Sequence, residues 1–247
     1  MLAKVNKRGG RQTSGGIAVR RRDCCIILAL VAWLAQTGCA QKAAPKKPKQ
    51  ASDFDQDVAR LEAKTPAPLP AETVLFVGSS SIRRWDLAAS FPGLKACNHG
   101  FGGSRTADLN HFAPRLVLAY RPARLVVYEA DNDIHEGLTP EQVAREADRF
   151  LTLVAEKLPE SKTWWLAIKP SPSRRKQMAR QREANDLIRK RCALSGGKAV
   201  FVDTWTPILG PDGQPAPELF LEDKLHLNEK GYARWNAVLD PLLKGGS

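Results

Sequence analysis

From Thr73 onward the chain repeats one pattern of apolar and polar positions. A short apolar run rich in β-branched and aromatic residues gives way to a turn carrying Gly or polar residues, then to a longer stretch with helical spacing. The short runs predict strands at Thr73–Val77, Leu94–Asn98, Leu125–Tyr128, Thr163–Ile168 and Ala199–Val202, the second being the least pronounced. The longer stretches predict helices over Thr106–Tyr120, Pro140–Leu158 and Ser173–Leu194, with a last helix from about Glu229 to Leu243. Thr139 followed by Pro140 is a favourable helix start. Strand and helix in alternation predict an α/β fold, a parallel sheet joined by right-handed crossovers with helices on both faces. In such a sheet ligands sit beyond the carboxyl ends of the strands, at a switch point. The loops after strands one, two, three and five are therefore where chemistry is to be sought.

The region before Thr73 has another pattern. Arg20-Arg21-Arg22 precede a twelve-residue apolar run, Cys24 to Ala35, followed by Gln36-Thr37-Gly38-Cys39-Ala40. Basic residues, a short apolar stretch and small residues at a cut site are the layout of an export signal. Twelve residues rise only about 18 Å as a helix, against roughly 30 Å of hydrocarbon in a bilayer, so a spanning helix fits less well. Residues 41–50 have no apolar periodicity and self-repelling charge, as expected of an extended tether. Asp53–Lys64 is a candidate short helix, and the prolines of Pro66–Pro70 mark the expected start of the folded domain. The expected organisation is thus a signal over 1–38, a tether over 39–70 and a folded domain over 71–247.

Composition sharpens this division. The formal charge of the 247 residues is +12, yet residues 1–50 hold eleven Lys and Arg against one acid, leaving twenty-seven bases and twenty-five acids for the rest. A nucleic-acid-binding domain is disfavoured, because it needs a charged face and not a charged tail. Five Cys exclude a disulfide-dense scaffold, and only Cys97 and Cys192 fall within the domain, as small buried residues or as a pair.

The loops hold a set of reactive groups. After strand one comes Gly78-Ser79-Ser80-Ser81, hydroxyls at a strand-to-helix junction where backbone N–H groups can face developing negative charge. After strand two comes His99-Gly100-Phe101-Gly102-Gly103-Ser104, whose glycines allow close approach of backbone to a ligand. The third loop, Glu129-Ala130-Asp131-Asn132-Asp133, offers the neutral amide of Asn132. Before the last helix, Asp223 and His226 pair a carboxylate with an imidazole three residues later. Asp131 and Asp133 read as orienting the Asn132 loop, with no further ligand cluster for a metal. Arg83, Arg84 and the run Arg174-Arg175-Lys176 read as solvated helix surface, and Trp85, Trp164, Trp165, Trp205 and Trp235 as packing.

These four blocks, in this order, resemble the SGNH or GDSL hydrolase superfamily over roughly Thr73 to Leu243. The resemblance implies a three-layer α/β/α flavodoxin-like sandwich with a five-stranded parallel sheet. It implies Ser80 as nucleophile with Asp223 and His226 as its partners. The oxyanion hole would be formed by Ser80, Gly103 and Asn132, and neither metal nor organic cofactor is called for. Such a site cleaves a carboxylic ester through an acyl-enzyme, with a short acyl or O-acetyl group on a carbohydrate or envelope glycan as leading substrate. A lysophospholipase or thioesterase, or a silent glycan- or protein-binding lipoprotein, are the alternatives. Ser79 stands where the family has Asp, and is itself a rival nucleophile. Ala130 stands where the family has Gly, which matters if that position needs positive φ. Thr37-Gly38-Cys39 resembles a bacterial lipoprotein box, implying acylation of Cys39 and a membrane-anchored envelope protein whose basic tether also meets anionic lipid.

Overall fold

The computed structural model describes residues 51–244. The expected signal, the Cys39 acylation site and the tether up to residue 50 lie outside the described residues. Within them five strands form one parallel sheet in the order β2-β1-β3-β4-β5. They are β1 (Val74–Gly78), β2 (Ala96–Gly100), β3 (Arg124–Tyr128), β4 (Lys162–Leu166) and β5 (Ala199–Val202). The helices are α1 (Asp55–Lys64), α2 (Ser80–Arg83), α3 (Leu87–Ser90), α4 (Thr106–Leu116), α5 (Asp131–His135), α6 (Pro140–Lys157), α7 (Met178–Ala193) and α8 (Glu229–Lys244). This is the expected α/β/α sandwich, and its strand order puts a switch point between β1 and β3.

The side-chain alternation of the strands splits the core in two. Leu75, Val77, Leu125, Val127 and Trp165 pack with Phe112, Phe150 and Ile188 from α4, α6 and α7. Val74, Phe76, Val126, Tyr128 and Trp164 pack on the opposite face with Trp85, Phe91 and Trp235. All five tryptophans expected to pack are at most 7% exposed, including Trp205, which therefore presents no platform to a ligand. Cys97 and Cys192 are both free.

Three elements differ from expectation. The stretch expected as one helix over Ser173–Leu194 starts as a 3-10 turn, Pro172–Gln177, before α7. Arg174 there has φ −113° and ψ 21°, which breaks the helical register. The predicted helix over Thr106–Tyr120 divides into α4 and a 3-10 turn at Leu118–Tyr120, with Pro114 in the last turn of α4 lacking the N–H that would continue the ladder. The folded unit also begins well before residue 71. Phe54 and Val58, four residues apart on one face, are fully buried in the core against Phe101 and Leu109. Arg115 of α4 bonds Asp55 and Glu62 of α1, at 2.9 and 2.6 Å. Leu69 within the proline segment donates its N–H to the Tyr120 carbonyl, so Pro66–Pro70 is an internal connection and not a boundary.

Candidate active site

Gly78 closes β1 with φ 140°, and a Cβ there would run into the Tyr128 carbonyl of the neighbouring strand. Only Gly lets the chain leave the sheet at this point. Ser79 continues in extended geometry, and Ser80 opens α2. The first turn of a helix has N–H groups without intrahelical acceptors, and the Ser80 N–H is one of them. The Ser80 hydroxyl lies 2.9 Å from His226 Nε2, and His226 Nδ1 lies 2.6 Å from Asp223 Oδ2.

The protonation pattern follows from chemistry. A carboxylate only accepts, so Nδ1–H of His226 donates to Asp223, which leaves the Nε2 lone pair to accept from the Ser80 hydroxyl. Burial pushes the Asp223 carboxyl up, but the bond from His226 and the backbone N–H groups of His226 and Leu225 outweigh it and bring it down to about 2. These N–H groups both reach Asp223 Oδ1 at 2.9 Å, a local turn that fixes carboxylate and imidazole three residues apart. Burial also lowers the His226 imidazole below the ordinary 6.5, opposed by Asp223 and assisted by the charges of Arg84 and Lys169.

Opposite this chain of bonds lies a second cluster. Asn132 Nδ2 donates to Ser79 Oγ at 3.0 Å and to the Ser104 carbonyl at 2.9 Å. The Gly103 N–H donates to the same Ser79 Oγ at 3.3 Å. Gly103 has φ 91°, which aims that N–H inward. The two serines therefore face different ways: Ser80 meets the imidazole, and Ser79 fills the space in front of two N–H donors. Ser79 accepts these bonds as a neutral hydroxyl where an Asp would bring a charge. Ala130 takes φ 79°, the left-handed conformation that makes its side chain a strain of roughly 1–2 kcal/mol, and Asn132 still reaches its place.

Beneath Asn132 lies a buried set of charges that the sequence does not reveal. Asn132 Oδ1 accepts from Arg174 Nη2 at 2.9 Å. Arg174 Nη1 pairs with Asp131 Oδ1 at 2.7 Å, and Lys169 Nζ with Asp131 Oδ2 at 3.0 Å. Gln181 and the Tyr128 hydroxyl also donate to Asp131. Burial alone would raise the Asp131 carboxyl, but Lys169 and Arg174 hold it well below the usual carboxylate range. Its oxygens are occupied by these donors, so Asp131 braces the Asn132 loop. Arg174 is thus no solvated surface residue: it is 7% exposed. The irregular backbone at Arg174 turns it inward, which a reading of three consecutive bases as helix surface missed. Arg83, Arg84, Arg175 and Lys176 are all exposed, as expected of solvated surface.

Further out, Ser104 Oγ donates to Glu129, whose carboxyl is pushed well up by burial. Asp133 accepts the Thr106 N–H on both oxygens at 3.1 Å, with burial raising it to about 6. His99, at the end of β2, lies in the core, bonded to the Leu116 carbonyl and to Thr65. A cavity of about 510 Å³ borders the loop that carries His226, lined by Arg84, Asp86, Leu221, Leu227, Asn228 and Tyr232 among others.

A family model described as GDSL-like Lipase/Acylhydrolase matches residues 73–234. Among solved structures, a GDSL-like lipase from Bacteroides thetaiotaomicron is similar at 17% identity and a TM-score of 0.67, covering 80% of this chain and 100% of that one. A member of the lipolytic G-D-S-L family from Veillonella parvula is similar at 18% identity and a TM-score of 0.59, over 70% of this chain and 98% of that one. A catalytic mutant of an acetylxylan esterase from Geobacillus stearothermophilus is similar at 14% identity and a TM-score of 0.56, over 71% of this chain and 96% of that one. No curated protein matches this chain in sequence.

Proposed function

Since this chain belongs to the GDSL-like lipase/acylhydrolase family and is an ester-hydrolysing enzyme, we propose that it acts as a serine esterase through Ser80. The observation that carries this reading is the continuous chain of bonds Ser80–His226–Asp223, at 2.9 and 2.6 Å. A Ser hydroxyl is a weak nucleophile at its own pKa and needs a base in contact. His226 takes the Ser80 proton as Oγ attacks the ester carbonyl, and Asp223 holds the imidazole in the right tautomer and stabilises the imidazolium. The carbonyl oxygen becomes an oxyanion facing the N–H groups of Ser80 and Gly103 and the Asn132 amide, taking the place at these donors that Ser79 Oγ now fills. Collapse breaks the bond to the alcohol, which leaves with the proton from His226. Water, deprotonated in turn by His226, then releases the acid and restores Ser80.

The substrate we propose is a short acyl or O-acetyl ester on a carbohydrate or envelope glycan. Support comes from the similar acetylxylan esterase and from the cavity bordering the loop that carries His226, where Arg84 offers a donor and Asp86 an acceptor for hydroxyl groups. We further propose that the protein is exported and anchored through acylated Cys39, with the lysines of residues 41–50 adding attraction to anionic headgroups. Hydrolysis of p-nitrophenyl esters from acetate to dodecanoate tests the function: rates should be highest for the short chains and vanish in Ser80→Ala. Preference for long chains would point to a lysophospholipase or thioesterase, and no turnover by any ester would leave a silent binding protein. Cys39→Ser should release the protein from the membrane fraction, and retention there would rule out acylation as the anchor.

A further inference from the structure

We propose that Arg174 is a positioning residue for the oxyanion donor, fixing which end of the Asn132 amide faces the nucleophile loop; the proposal rests on the esterase reading of the site. The two ends of an Asn side chain are nearly the same in shape, so only its hydrogen-bond partners decide its orientation. Arg has no acceptor and can bond only Oδ1, and Arg174 Nη2 does so at 2.9 Å. The Ser104 carbonyl has no donor and can bond only Nδ2, at 2.9 Å. These two partners lock the amide with its N–H groups toward Ser79 and the oxyanion position. Without the guanidinium, the part-buried Oδ1 would lose its donor, and only the Ser104 carbonyl would remain to set the orientation of the amide.

Arg174 acts through Asn132 and not on the substrate, because it is 7% exposed and both terminal nitrogens are committed, one to Asp131 and one to Asn132. Its own place is fixed by backbone. The Arg174 N–H donates to the Ser171 carbonyl, and the Ser173 N–H to the carbonyl of Lys224, both at 3.0 Å. Lys224 lies between Asp223 and His226 and takes φ 55°. The segment 171–174 therefore braces the oxyanion donor on one side and the loop of the general base on the other. A bond to a cation also polarises the amide, making its N–H groups stronger donors to an oxyanion.

A double-mutant cycle with p-nitrophenyl acetate tests the proposal on the full-length protein. Arg174→Gln is expected to lower kcat about 10- to 100-fold with KM changed less than about twofold, since the affected bond matters in the transition state. The acid limb of the pH profile should not move, and Arg174→Lys should restore part of the loss. In an Asn132→Ala background Arg174→Gln should cost less than about threefold. Full additivity of the two losses would overturn the proposal. A second readout does not need turnover: the Asn132 side-chain amide resonances in an isotope-labelled protein should shift and exchange faster in Arg174→Gln and Arg174→Lys, in that order. Unchanged resonances in folded variants would overturn the proposal. A wild-type protein without ester turnover would instead overturn the esterase reading, leaving the amide measurement to decide on Arg174.

Discussion

The two halves of the site are built by opposite means. The half proposed to handle protons, Ser80, His226 and Asp223, is partly open to solvent, with the Asp223 side chain 44% exposed and His226 15%. The half proposed to hold the oxyanion rests on Asp131, Lys169 and Arg174, each with a side chain at most 7% exposed. Proton transfer needs a base that changes charge during each turnover, and the Asp223 carboxylate offsets part of the cost of burying an imidazolium. Oxyanion stabilisation needs dipoles that stay still, so that nothing has to reorganise as charge develops. A buried carboxylate bridging two cations holds the partners of Asn132, while a short exposed turn suffices for Asp223 and His226.

If that contrast is right, substitutions in the two halves should fail differently. Ser80→Ala and His226→Ala should each lower kcat by about 10⁶-fold, and the double variant hardly more, because the two act as one unit. Asp223→Asn should cost about 10⁴-fold in rate through the wrong tautomer, with little change in melting temperature, since an exposed pair contributes at most about 1 kcal/mol. Asp131→Ala should behave the other way, losing roughly 3–5 kcal/mol of stability by stranding buried Lys169 and Arg174, as read by denaturant unfolding. Equal stability losses in Asp223→Asn and Asp131→Ala would erase the distinction. Asn132→Ala should lower kcat by about 10²–10³-fold, or roughly 2.7–4 kcal/mol of barrier, in a protein that still folds.

The smallest effect concerns pH. His226 acts as base only when neutral, and its folded pKa lies below the ordinary 6.5 because of burial first and the charges of Arg84 and Lys169 next. The rate of acyl transfer should therefore persist as pH falls past 6.5 and drop only below it. Arg84→Gln removes one repelling cation, so the midpoint should move upward. A downward shift would mean that Arg84 does not act on the imidazole.

The same contrast explains what could be read from the chain. The alternation of strand and helix, and the local spacing of Asp223 with His226, are short-range patterns, so the sheet and the proton-handling half are legible in the letters. In the sequence Ser80 is separable from Ser79 only by family pattern, whereas in the structure one hydroxyl meets the imidazole and the other meets the Asn132 and Gly103 donors. Arg174 was illegible because its burial depends on two backbone angles inside a run of bases that reads as solvated. Its partner Asp131 comes from a different loop, forty-odd residues away along the chain. A helix over Asp53–Lys64 was legible as a candidate, but its docking against α4 depends on Arg115, a tertiary contact.

The central claim is that Ser80, and not its neighbour Ser79, is the nucleophile. Treating the purified protein with a fluorophosphonate ester and locating the adduct by peptide mass spectrometry tests it directly. The account predicts a single phosphonyl adduct on Ser80, formed in wild type, formed in Ser79→Ala and absent in Ser80→Ala and His226→Ala. An adduct on Ser79, or none in the wild-type protein, would contradict it.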